Sequence, residues 1–87
     1  MKIIHKPIEV IAYFDIQGLP TPKKFKYQDI DDFPTTIQVD RVSFRAEEKL
    51  AGNRMLIFRC QSSINNLVKV FELKYEIQTC KWVLWKI

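Results

Sequence analysis

The stretch from Lys69 to Glu76, KVFELKYE, places Phe71, Leu73 and Tyr75 on one side of an extended chain and Glu72, Lys74 and Glu76 on the other. A period of two is the mark of a β-strand with one buried face. The strand reads as the centre of a three-stranded meander, because both neighbouring segments fall into register with it. With Asn65 and Asn66 as a two-residue turn, Cys60 faces Phe71, Phe58 faces Leu73 and Leu56 faces Tyr75. The opposite face of the same register sets Arg59 against Glu72 and Met55 against Glu76. A slip of one residue would destroy both patterns. A second reversal about Gln78 and Thr79, of two or four residues, sets Tyr75 opposite Trp82, Leu73 opposite Leu84 and Glu76 opposite Lys81.

Ahead of this meander, Ile8 to Asp15 and Thr21 to Tyr27 form a first hairpin around Gln17-Gly18. Its register joins Val10 to Phe25, Ile8 to Tyr27 and Glu9 to Lys26. Pro22 requires that its strand begin there or lie on an edge. Residues 28–34 read as a loop. In the third strand, Thr35 to Arg45, Ile37 and Val39 share one face, but Val42 and Phe44 are out of phase with them. A β-bulge near Asp40-Arg41 would return both pairs to the core. Ala46 to Ala51, AEEKLA, holds good helix formers with Gly52 at a C′ position, so one or two helical turns are expected. The sum is an all-β fold: a six-stranded antiparallel meander with one short helical connection, forming a partly open barrel or a strongly twisted sheet.

The chain has 87 residues, 47% of them hydrophobic and only two of them glycine, which bounds it to one globular domain over residues 1–87. A domain of this size buries about 60 to 65% of its unfolded surface, so a small core is expected and a deep cleft is not. The opening MKIIHKPIEV lacks the apolar run of a secretory signal, and no apolar segment reaches membrane-spanning length. Cys60 and Cys80 fall on the strands flanking the central one, about two strand spacings apart and beyond disulfide reach. Both are expected as buried thiols in a reducing, cytoplasmic setting.

The layout resembles a loose group of short uncharacterised bacterial proteins, best known from Firmicutes. The resemblance rests on Val10-Ile11-Ala12-Tyr13-Phe14-Asp15, Val39-Asp40-Arg41-Val42, Leu50-Ala51-Gly52-Asn53-Arg54 and Glu72-Leu73-Lys74-Tyr75-Glu76, with Trp82 and Lys86-Ile87. It covers most of the chain and implies a single intact domain. It brings no motif of known chemistry.

Catalytic and metal readings fail on residue type and spacing. Asp29, Asp31, Asp32 and Asp40 stand at positions one, three, four and twelve of a calcium-type loop. Phe33 and Pro34 occupy the fifth and sixth positions, where an oxygen ligand and a glycine are needed. His5 is the single histidine and is expected to be exposed, so no Cys-His, Ser-His-Asp or paired-histidine site can be assembled around it. The cysteines lack CxxC spacing. Glu72 and Glu76 share a strand face, but each has a cationic cross-strand neighbour that holds it ionised. The expectation is a non-enzymatic chain with no cofactor and no metal.

What remains is a surface. On the outer face of the last hairpin Trp85, Val83 and Ile57 lie among Lys74, Arg59 and Lys81, an aromatic ringed by cations. The first hairpin offers Tyr13, Lys24 and Lys26 on its own outer face. Such a face suits a protein partner, or a homodimer formed through it or through an edge strand. It also suits single-stranded nucleic acid, with a base stacked on the aromatic and phosphates on the cations. The net charge of +4 is moderate, and the acidic run at Asp29 to Asp32 would repel a phosphate backbone, which favours the protein partner. The alternative to any binding face is an ordinary solvated sheet surface, with Trp85 covered by the N-terminal residues or the helical connection.

Overall fold

A computed structural model of the chain describes residues 1–28 and 34–87. The described residues form eight strands: β1 (Ile3–Ile8), β2 (Val10–Phe14), β3 (Pro20–Gln28), β4 (Pro34–Gln38), β5 (Arg41–Leu50), β6 (Asn53–Ile64), β7 (Leu67–Glu76) and β8 (Lys81–Lys86). They build two antiparallel sheets, one of five strands in the order β1-β8-β7-β6-β5 and one of three in the order β2-β3-β4. The expected six-stranded meander with a helical connection, as a partly open barrel or a strongly twisted sheet, is therefore corrected to eight strands in two separate sheets, with no helix and no barrel closure among the described residues.

The meander around β7 follows the sequence register. Cys60–Phe71, Phe58–Leu73, Leu56–Tyr75, Arg59–Glu72 and Met55–Glu76 are all paired, as are Leu73–Leu84, Tyr75–Trp82 and Glu76–Lys81. Asn65 and Asn66 both take positive φ, 51° and 65°, the backbone of a primed two-residue turn for which asparagine has unusual tolerance. Between β7 and β8 the loop has four residues, 77–80. Cys80 sits at its end with φ 59° and is exposed. Its expected place on the core face is thus overturned: the alternation stops at Glu76, before the cysteine.

The expected helix is strand β5. Ala46 pairs with Ile57, Glu47 with Leu56 and Leu50 with Asn53, and Glu47 also forms an ion pair with Arg54. Helix propensity is worth only tenths of a kcal/mol per residue in an exposed segment. A cross-strand ladder of nine residue pairs outweighs it. Gly52 serves as the second residue of the Ala51-Gly52 turn, with φ 51° and 85°, rather than as a helix cap.

Two further corrections concern strands that change sheet. The N-terminal strand begins at Ile3 and divides at Glu9, so Ile8 pairs with Trp82 of β8 and not with Tyr27, while Val10–Phe25 pairs as expected. The expected single strand from Thr35 to Arg45 divides at Val39-Asp40. There the Val39 N–H donates to the Lys23 carbonyl of the small sheet (2.8 Å) and the Asp40 N–H to the Gln61 carbonyl of the large one (3.1 Å). The break in apolar period marks this handover, and Val42 packs on the core while Phe44 stays outside. Pro20 and Pro22 lie in β3 where β2 alone runs alongside, because the β4 pairing starts at Lys24. The missing N–H groups cost no ladder bond on the open side. The loop expected over residues 28–34 and its three aspartates fall outside the described residues, save that Gln28 and Pro34 pair at the strand ends.

Phe25 and Ile37 of the small sheet pack on Phe58, Cys60, Phe71, Leu73, Tyr75, Trp82 and Leu84 of the large one. Phe25 meets Phe71 edge-on at 5.4 Å between ring centres, and Trp82 lies against both Tyr75 and Phe58. The opposite face of the large sheet is left without a covering layer among the described residues.

Candidate binding face

The uncovered face is organised around Lys74, on the central strand. Its cross-strand neighbours are Ile57 on β6 and Val83 on β8. Its ammonium lies 3.0 Å from Glu48 of β5 and 3.8 Å above the centre of the Trp85 ring. The residue is only 9% exposed. A desolvated ammonium is costly unless it is paired, and the carboxylate and the ring face together supply that compensation.

Trp85 reaches this position through an irregularity. Leu84 pairs with Leu73 and Lys86 with Glu72, so Trp85 is an extra residue with no partner opposite. A bulge of this kind re-aims a side chain. On its other flank β1 has its own register shift between Ile3 and Lys6, with His5 at φ 50°. His5 meets the Trp85 ring edge-on at 5.2 Å. The indole is therefore held between a histidine and a lysine of its own chain and is half-buried.

Arg59 makes the second pair, with its Nη2 and Nε 3.1 and 3.3 Å from one Glu72 oxygen. Its guanidinium also lies 5.5 Å from the centre of the exposed Phe44 ring. The structure brings together Trp85, Lys74, Ile57 and Val83, and places Arg59 beside them. Lys81 stands apart, exposed at the start of β8 and opposite Glu76. Glu48, Phe44 and His5 complete the face, and the sequence reading missed all three. The first two lay in or beside the supposed helix, and His5 in a segment given no strand. The alternation Phe44, Ala46, Glu48 was the available signal, masked by good helix formers.

On the outer face of the small sheet, Tyr13, Lys24 and Lys26 are exposed. Glu9, Ile11, Lys24, Lys26 and Thr36 border an open hollow of about 400 Å³. The two groups of candidate residues belong to different sheets and do not form one site.

The carboxylates are committed to structure. Glu72 is bound by Arg59, while hydrogen bonds from Thr79 and Asn53, aided by Lys81, hold the Glu76 carboxyl below the usual range. Burial pushes the Cys60 thiol up to about 12, so it is an inert packing group. Among the described residues no three His, Cys, Asp or Glu side chains are grouped to hold a metal ion, and no helix is long and apolar enough to cross a membrane. No protein-family model matches the chain, and comparison with curated proteins and with solved structures returns no match.

Proposed function

We propose that the chain is a non-catalytic protein-contact module that works through the Trp85 face and the adjoining edge of the large sheet, self-association included. The observation that carries this reading is the state of Lys74. Its charge is spent on Glu48 and its ammonium covers one face of the Trp85 ring, so that face offers neither a free phosphate-binding cation there nor that ring surface for a base. Arg59 is likewise spent on Glu72. A face whose charges are neutralised from within, with Ile57, Val83 and Trp85 half-buried and Phe44 exposed, has the apolar and aromatic character that protein interfaces favour. Two free thiols suit a reducing, cytoplasmic setting, and the resemblance noted above suits a bacterial source.

Single-stranded nucleic acid is the second reading, and the small sheet favours it more than Trp85 does. Lys24 and Lys26 are exposed beside Tyr13, which is 61% exposed. The deciding experiment is an oligonucleotide titration at two salt concentrations, run beside a light-scattering mass. Our reading predicts weak binding indifferent to Trp85→Ala. Tight binding that falls steeply with salt would overturn it, and loss of that binding in Trp85→Ala or in Lys24→Ala/Lys26→Ala would say which sheet carries the strand.

A further inference from the structure

Strand β5 is an edge unlike the others in this fold. β1 carries Pro7 and a register shift, β2 and β4 have five residues each, and the open end of β3 holds Pro20 and Pro22. Prolines, irregularity and shortness are among the usual protections against edge-to-edge pairing, and charge is another. β5 relies on charge, at Arg41, Arg45, Glu47, Glu48 and Lys49, of both signs, so it selects a register rather than forbidding all of them. β5 runs ten residues with neither proline nor glycine, and its one irregularity is at Ser43.

The direction of its backbone groups follows from the hairpin. Leu50 and Asn53 close the two-residue Ala51-Gly52 turn and are therefore a hydrogen-bonded pair. Alternation then turns the N–H and C=O of Glu48 and Ala46 toward β6, and those of Lys49, Glu47 and Arg45 outward. Among the described residues no other backbone group bonds to these outward groups.

We propose that two copies of the chain join β5 to β5 antiparallel about a two-fold axis at Ala46, making one ten-stranded sheet. The inference rests on the protein-contact reading above and names its partner. Outward groups must meet outward groups, which restricts the axis to a residue position rather than a gap between residues. An axis at Arg45 sets Arg45 against itself and Arg41 against Lys49. An axis at Glu47 sets Glu47 against itself and Arg45 against Lys49. At Glu48 that carboxylate opposes its own copy on the axis, which offsets the two Glu47–Lys49 pairs beside it. At Phe44 the Ser43 bulge falls next to the axis, whereas at Ala46 it falls three residues away, at the end of the paired stretch. With the axis at Ala46, Arg45 stands opposite Glu47 of the partner subunit, twice by symmetry, and the smallest side chain of the strand sits on the axis. Each of these charges is shared with a group of its own chain, Glu47 with Arg54 and Arg45 with the Pro20 carbonyl. Opposed charges of unlike sign favour that register, and like charges penalise its competitors. The uncovered face, with Lys74 and Trp85 at its centre, becomes continuous across the pair.

The test is mass in solution for four samples, each checked for native circular dichroism. Wild type should run at twice the 10.4 kDa chain mass. Glu47→Arg alone and Arg45→Glu alone should each halve the mass. Mixing the two variants should restore the dimer, because each then meets its opposite. Because Arg45 also bonds to the Pro20 carbonyl and Thr21, and Glu47 to Arg54 in its own hairpin, either variant can fail to fold, so hydrogen exchange on wild type provides a second readout. The Arg45 and Glu47 amides should exchange slowly in concentrated protein and quickly on dilution. A dimer that survives Glu47→Arg, or exchange at these amides indifferent to concentration, would overturn this register while leaving self-association through another surface. A wild-type monomer at every concentration would overturn the pairing altogether and leave protein contact to other partners.

Discussion

The two faces of the large sheet are made by the same strands yet solve opposite problems. On the inner face Phe58, Cys60, Phe71, Leu73 and Leu84 are buried without a charge among them. On the outer face Glu72 and Lys74 are nearly as buried, at 7% and 9% exposure, and both are ionic. The inner face is stabilised by area removed from water, the outer by pairing charges whose desolvation would otherwise be costly. Charged residues alternating along a strand are thus not all solvent-facing in the same sense: neighbouring side chains can cover them as thoroughly as a second sheet would.

The contrast is broken most severely from the inside. Leu73→Ala removes a fully buried side chain from the central strand and should cost about 2 to 5 kcal/mol in chemical denaturation, a large share of the stability of a domain this small. A loss no greater than that of a surface substitution would mean that the sheets do not seal against each other.

The thiols give the next largest separation. Cys80, exposed in the turn, should react with a thiol reagent at a rate near that of a free thiol, while Cys60 should wait for unfolding. Because the folded state raises the Cys60 pKa, its neutral form is favoured by folding. The stability it contributes is complete below the unfolded value near 9 and is lost as pH rises from there toward about 12. Alkaline denaturation should show a shallower decline for Cys60→Ala than for wild type over that window. Equal slopes would contradict the burial of the thiol.

Substitutions on the outer face should cost less. Lys74→Ala leaves Glu48 without its partner and should lose about 1 to 2 kcal/mol. Arg59→Ala removes a side chain that is 48% exposed but leaves the nearly buried Glu72 without its partner, and should lose about 1 kcal/mol, more from stranding Glu72 than from the lost pair. A reversed order would make Arg59, not Lys74, the centre of the face.

The sequence revealed most where local pattern and partner agreed. Phe71, Leu73 and Tyr75 fixed their neighbours on both sides, because hairpin turns set register and a slip would have inverted every side chain. It revealed least where the chain changes sheet. At Glu9 and at Val39-Asp40 a strand keeps its extended backbone while its partner changes, and period alone cannot distinguish that handover from a bulge. The interruption of β1 by His5 and Pro7 hid a strand, and AEEKLA hid another behind helix propensity. Trp85, Lys74, Ile57 and Val83 were legible as a shared face. That Lys74 caps Trp85 was not, since it depends on the bulge at Trp85 and on Glu48 reaching across from β5.

The capping of Trp85 by Lys74 is the hinge of the functional account, and proton NMR reads it directly. An ammonium 3.8 Å above the indole centre places the ε-methylene of Lys74 in the shielding cone of the ring. Its proton resonances should lie well upfield of those of the exposed lysines and return to their position in Trp85→Leu. Lys74 resonances already at the ordinary lysine position in wild type would mean that the indole face is open, and the stacking of a nucleic-acid base on it would become the better reading.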